Sequence, residues 1–241
     1  MPLRRLTRPL VAGTVLLLLG AVAVHAVAPL LSLPRQVPSG ERARLETIVK
    51  NSFASTRVAH EPYVARPEVW EYLLDHPEFA THVTRALKMA RFRIWHEGAD
   101  LWVDDGWGVK GQFTIVHAER GMRVLYARGQ YEQKILPEIR GQAVGTLEYA
   151  FRQDEAGRTV VATSASGYVQ VDSRVLNALA KVAAPMVQAK ADKEAGYLLR
   201  TFARVSRAIE EDPARVYQLV SARPDVPRAD LDGFREVLRL P

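Results

Sequence analysis

The chain of 241 residues contains no cysteine. This absence excludes a disulfide framework, a thiolate nucleophile and any metal site with cysteine ligands. A chain of this length can bury enough apolar surface to form a stable core without such cross-links. The length suits one domain together with a leader and a tail.

A concentrated basic surface is also missing from the sequence. The formal net charge is +6, and three of the 33 basic residues lie in the first eight positions. The other 30 face 27 acidic residues and are interspersed with them. Nucleic-acid binding needs a basic stripe or patch, so we expect no nucleic-acid partner. The basic residues are mostly arginine, which hints at a GC-rich bacterial genome.

The sequence lacks the motifs of common metal, cofactor and nucleophile sites. None of the six histidines forms a His-Glu-x-x-His pair or another ligand spacing. A Gly-x-Ser-x-Gly elbow and a phosphate-binding glycine loop are both absent. The sequence therefore predicts no metal and no cofactor, and it assigns no catalytic residue.

Residues 1–33 have the composition of a targeting segment. Basic residues come before an apolar run that begins at Pro9 and stays largely apolar as far as Leu33. This order is typical of a secretory signal peptide, but roughly 25 apolar residues are also long enough to span a bilayer as a transmembrane helix. We therefore expect either a cleaved signal or an uncleaved anchor. In both cases the rest of the chain is exported, either to the periplasm or to the outer side of the inner membrane.

Residues 34–54 combine a linker composition with a short helix expected over 41–53. The next segment, 55–65, alternates apolar and polar residues and predicts a first strand. Pro67 suits the first turn of a helix, and a second short helix is expected over 79–88.

Between residues 91 and 171 the sequence predicts a meander of antiparallel strands. Alternating segments are separated by turn residues, of which Asp105-Gly106 is the strongest signal. An interruption is expected over 134–141, which contains Pro137 and Gly141. The expected strands are 91–97, 101–104, 109–115, 125–132, 145–152 and 159–171.

Residues 172–211 predict one long amphipathic helix. Apolar residues recur there at three- and four-residue steps and form one stripe, while Lys190 and the other cations lie mainly off it. Pro185 should bend this helix near its middle. The remaining residues, 212–241, predict a short helical tail.

The order of these elements resembles the helix-grip fold of the START/polyketide-cyclase (SRPBCC) superfamily. The resemblance covers residues 55–211, and its most family-like passages are 65–73 and 168–172. It implies an α+β domain in which a curved antiparallel sheet of six to seven strands wraps around the long helix. It also implies a space between sheet and helix that holds an apolar ligand.

The apolar faces of the predicted strands and helix supply the candidate ligand contacts. Tyr131 and Tyr149 could also hydrogen-bond to a ligand. The alternative is that these side chains only fill the core. The candidates are Phe113, Ile115, Leu125, Tyr131, Leu147, Tyr149, Phe151, Leu179, Ala183 and Met186.

These features favour an exported or membrane-tethered binding protein whose partners are a lipid or other apolar small molecule and, through the N-terminal segment, the membrane. A cyclase/aromatase-like enzyme is one alternative. It would need a polar cluster on the inner faces, which read as nearly free of ionisable groups. An envelope interaction module with a solid core is the other alternative.

Overall fold

The computed structural model describes residues 33–241 other than 99, 134 and 135, with the backbone alone at 133, 136, 137, 173–184 and 186. The strands are β1 Ala54–Val64, β2 Arg93–Glu97, β3 Asp100–Asp104, β4 Val109–Glu119, β5 Met122–Gln133, β6 Leu136–Gln153 and β7 Thr159–Val171. The helices are α1 Ser39–Lys50, α2 Pro67–Asp75, α3 Pro77–Ala86, α4 Ser173–Glu211, α5 Pro213–Ser221 and α6 Arg228–Leu238.

The strands form one antiparallel sheet in the order β1-β7-β6-β5-β4-β3-β2. Helices α2 and α3 connect β1 to β2 and so carry the chain from one edge of the sheet to the other. The long helix α4 packs against β1 and β7. The predicted fold class, an α+β helix-grip arrangement with a curved sheet and one long C-terminal helix, is confirmed.

Strand β6 departs from the sequence prediction, because it runs without a break from residue 136 through the expected interruption at 134–141. Pairing with β7 begins only at Gly141, so residues 136–139 pair with β5 alone. Proline is tolerated where one side of a strand is unpaired, which explains why Pro137 does not end β6.

Each face of the sheet carries its own apolar cluster. The inner-face cluster joins β1, β6 and β7 to α2 and to the C-terminal half of α4. On the outer face, α1 buries Leu45 and Ile48 against Val124 and Val144. Leu33, where the described chain begins, belongs to this outer cluster.

A third cluster is built from helices and includes the C-terminal segment. Phe234 of α6 and Val220 of α5 are fully buried against Phe79, Val83 and the end of α4. Residues 212–241 therefore pack within the domain core.

Three glycines lie side by side across the curved sheet, and we call this line the bend. Gly111, Gly129 and Gly141 are paired neighbours on β4, β5 and β6. A Cβ atom at Gly111 would lie 2.4 Å from the carbonyl oxygen of Arg128, and one at Gly141 would lie 2.4 Å from that of Gln170. Only glycine allows the backbones to approach this closely, and glycine kinks are a recognised source of sheet curvature.

Within the described part of the chain, no helix is both long and apolar enough to cross a membrane. The predicted leader falls outside the described residues, apart from Leu33.

Candidate ligand cavity

A cavity of about 270 Å³ lies between the inner face of the sheet and α4. This volume is just below the roughly 300–1,000 Å³ of typical small-molecule sites. Its apolar lining comes from β3 to β7 and from the helix. The apolar residues are Val103, Val109, Ala127, Tyr131, Ile139, Ala143, Val169, Val171, Val187 and Ala191.

The floor of the cavity consists of small residues in register across the sheet. One row joins Ala127, Ala143 and Val169. The next row contains the three glycines of the bend, followed by Val171. Side chains this small cannot reach α4, so the space beneath the helix stays open.

Charged side chains meet the cavity where α4 passes the β3–β4 turn. Lys190 Nζ lies 2.7 Å from Asp105 Oδ2 and 3.0 Å from Glu194 Oε1. Burial lowers the pKa of Lys190, but the hydrogen bonds to the two carboxylates outweigh it, so the pKa lies above its ordinary value. Lys190 therefore stays protonated at neutral pH.

Asp105 also fixes the turn to which Lys190 is bound. Its Oδ1 accepts hydrogen bonds from the amides of Trp107 at 2.6 Å and Val109 at 2.9 Å. Gly106 and Gly108 have φ values of 74° and 109°, which other residues rarely adopt. The turn and α4 are thus held together by one carboxylate at the edge of the cavity.

The other end of the groove is filled by aromatic side chains. The ring centroid of Trp70 lies 5.8 Å from that of Tyr149 and 5.3 Å from that of Phe202. Leu147 and Leu199 complete the packing there and are almost fully buried. We call this region the filled end and the cavity region the open end.

A buried arginine lies beside the filled end. Arg123 donates hydrogen bonds to Glu71 Oε2 and Asp75 Oδ1, both at 2.8 Å, and to Tyr149 Oη at 2.9 Å. Burial, together with the hydrogen bond from the Tyr149 hydroxyl to Glu71, raises the pKa of Tyr149 to about 12. Tyr149 therefore belongs to an ionic network and remains neutral.

The structure places four of the ten predicted contact residues in these two regions. Tyr131 lines the cavity. Leu147, Tyr149 and Phe151 pack in the filled end. Phe113, Ile115 and Leu125 lie on β4 and β5 outside the described cavity lining, and Phe113 is buried. Leu179, Ala183 and Met186 fall among the residues whose side chains are not described. Ligand contact at these ten positions stays a prediction.

Two signals in the sequence could have identified the charged residues. Lys190 is expected to lie off the apolar stripe of α4, but this expectation is wrong: Lys190 and Glu194 line the cavity. Both continue the four-residue steps from Met186 to Leu198 and so follow the stripe. Arg123 lies two residues before Leu125 and therefore shares its face of β5. The expectation of an inner face nearly free of ionisable groups is thus wrong at Arg123.

Comparison with known proteins identifies no family. No family model matches the sequence, and no curated protein matches it. Among solved structures, the hypothetical protein jhp0584 from Helicobacter pylori is 16% identical with a TM-score of 0.37, and the match covers 73% of this chain and 95% of that one. Norcoclaurine synthase from Thalictrum flavum is 15% identical with a TM-score of 0.42, covering 75% and 98%. Likenesses this distant assign no activity, and the fold rests on the strand order and packing given above.

Proposed function

We propose that this protein is a binding protein that holds a lipid or other apolar small molecule between the sheet and α4. The observation that carries the proposal is the open end of the groove. Its floor is made of glycine, alanine and valine, and its walls are mostly aliphatic. An apolar molecule placed there would gain roughly 25 cal/mol for each Å² of apolar surface removed from water, before ordering costs.

The leader suggests where such a protein would act. A basic segment followed by a long apolar run supports export, with the domain released or tethered on the outer side of the inner membrane. An apolar ligand has little solubility in an aqueous compartment, so a protein cavity is needed there to shield it from water.

An enzymatic role receives less support from the arrangement of polar groups. The Arg123 network supplies the inward polar cluster that a cyclase would need. However, Glu71, Asp75, Arg123 and Tyr149 are not among the described residues that line the cavity. Tyr149 and Arg123 are bound to one another and to carboxylates, which favours a structural role.

Native mass spectrometry of the protein purified after expression of the full chain tests the proposal. We expect an apolar ligand at near-unit stoichiometry, or uptake of the neutral fluorescent probe N-phenyl-1-naphthylamine by the empty protein. Ala143→Leu, which fills the floor of the cavity, should abolish either signal. Ala150→Leu is the matched control, because Ala150 lies on the same strand but is exposed.

The outcomes separate the cavity from other apolar surfaces. Equal probe uptake by the two variants would place binding elsewhere, for example on the leader. A wild-type protein that contains no ligand and takes up no probe would contradict the proposal and favour an interaction module.

A further inference from the structure

We infer that the cavity selects apolar molecules with an uncharged polar group and rejects those that carry a carboxylate. This inference rests on the proposed binding function and specifies its ligand class. It follows from how the cation at the cavity is already bound and from the charge that remains there.

Lys190 has only one N–H donor left for an anionic ligand. An ammonium group carries three N–H donors. Two are directed to Asp105 and Glu194, and the ammonium also lies 5.6 Å from the centroid of the Tyr131 ring. A cation beside an aromatic ring at this distance is further stabilised. A ligand carboxylate could bind only to the third donor, directly beside the two carboxylates that already hold Lys190.

The three ion-paired side chains beside the cavity sum to one negative charge. Asp105 and Glu194 each contribute one negative charge, and Lys190 contributes one positive charge. A carboxylate beside Lys190 would therefore also lie beside Glu194. Like charges at such short range repel one another, so binding of the anion is disfavoured.

Three further cations border the cavity, but their side chains belong to the outer face. Lys110, Arg128 and Arg140 alternate along their strands with the glycines of the bend, and successive side chains of a strand point to opposite faces. Lys110 and Arg140 are mostly exposed and pair with Asp104 and Glu138. These cations are therefore not available to a molecule enclosed under α4.

A matched pair of ligands tests the inference. Displacement of bound N-phenyl-1-naphthylamine is measured with 1-dodecanol and with dodecanoate, using protein purified after expression of the full chain. The measurements are made at pH 8, where a carboxylic acid is ionised. The ligands are kept below the critical micelle concentration of dodecanoate and the solubility limit of 1-dodecanol. We expect the alcohol to bind at least about tenfold more tightly than the acid, because repulsion from Glu194 adds to the greater cost of removing a carboxylate from water.

Substitution of one carboxylate locates the source of this discrimination. Glu194→Gln removes one negative charge with little change in shape. We therefore expect the ratio of the dissociation constants of acid and alcohol to fall to about threefold or less. Asp192→Asn is the matched control on the same helix, since Asp192 is exposed and bonded to Gln188 away from the cavity. It should keep the wild-type ratio. Thermal unfolding checks that both variants are folded.

Each outcome decides one question. Comparable binding of alcohol and acid by the wild type would overturn the inference while leaving the binding function intact. A wild-type ratio retained in Glu194→Gln, or lost equally in Asp192→Asn, would also overturn it. Failure of both ligands and of the probe to bind would contradict the binding function itself.

Discussion

The filled and open ends of the groove are built on the same strands but have opposite packing. At the filled end, β6 and β7 present Leu147, Tyr149 and Val161, which meet α4 and α2 without leaving space. At the open end, the same strands present Gly141, Ala143 and Val169, and a cavity remains. Side-chain size along two strands, and not a change of backbone topology, decides where the domain is solid and where it is hollow.

The polar groups of the two ends differ in how accessible they are. Arg123 at the filled end is inaccessible and bound to two carboxylates and a tyrosine. Lys190 at the open end has a side chain that is still 23% exposed and borders empty space. The first arrangement is held by its own partners, whereas the second borders a space that a ligand could occupy. Substitutions at the two ends should therefore have different consequences.

The largest effect is expected where the sheet bends. Gly141→Ala would place a methyl group 2.4 Å from the carbonyl oxygen of Gln170, so the backbone must shift. We expect a loss of about 3 kcal/mol in the free energy of unfolding, measured by urea denaturation. Gly145→Ala is the matched control on the same strand, because its nearest contact would be 3.9 Å away. A similar loss for both variants would show that the close approach at Gly141 is not what the fold depends on.

A slightly smaller effect is expected from the ionic network of the filled end. Arg123→Met should cost about 2–3 kcal/mol, because Glu71 loses its cation and Tyr149 loses a hydrogen-bond partner. Arg128→Met on the outer face of the same strand should cost less than about 1 kcal/mol, since Arg128 is exposed. Chemical denaturation of the two variants measures the difference. Equal stabilities would mean that the network contributes nothing beyond a surface ion pair.

The smallest effect provides the most direct comparison of the two ends. Val161→Ala removes two methyl groups from a fully buried position in the filled end, and should cost about 2 kcal/mol. Val169→Ala makes the same change on the same strand at the open end, where the side chain already borders a cavity, and should cost less than about 1 kcal/mol. Calorimetric unfolding gives both values. If the losses are equal in the ligand-free protein, the open end is packed as tightly as the filled end.

The sequence predicts the fold well because the signals of its elements are local. Alternation of apolar and polar residues identifies the strands, the turn at Asp105-Gly106 separates β3 from β4, and the three- and four-residue steps identify α4. The exception is β6, where Pro137 and Gly141 carry local signals against a strand. Tertiary context overrides them, because the first residues of β6 pair on one side only and Gly141 is required at the bend.

The candidate site is harder to predict from the sequence than the fold. Whether a region is packed or contains a cavity is not decided by neighbouring residues in the chain. Leu147 and Tyr149 have the same apolar, inward-facing pattern as Tyr131, yet they fill the core while Tyr131 lines the cavity. Whether such a side chain fills the core or borders a cavity depends on what packs against it, such as Trp70 of α2. That partner comes from a segment almost 80 residues away, and periodicity within a strand contains no information about it.

The packing of α6 has a consequence for the timing of folding during synthesis. Phe234 and Leu238 close the helical cluster against Val69 and Phe79, and Arg66 donates a hydrogen bond to the carbonyl oxygen of Leu238 at 3.3 Å. Contacts between residues so far apart can form only after the intervening chain has been made. The nascent chain therefore remains incompletely folded until α6 has left the ribosome. During that interval, chaperones that recognise unfolded chains still have access to it.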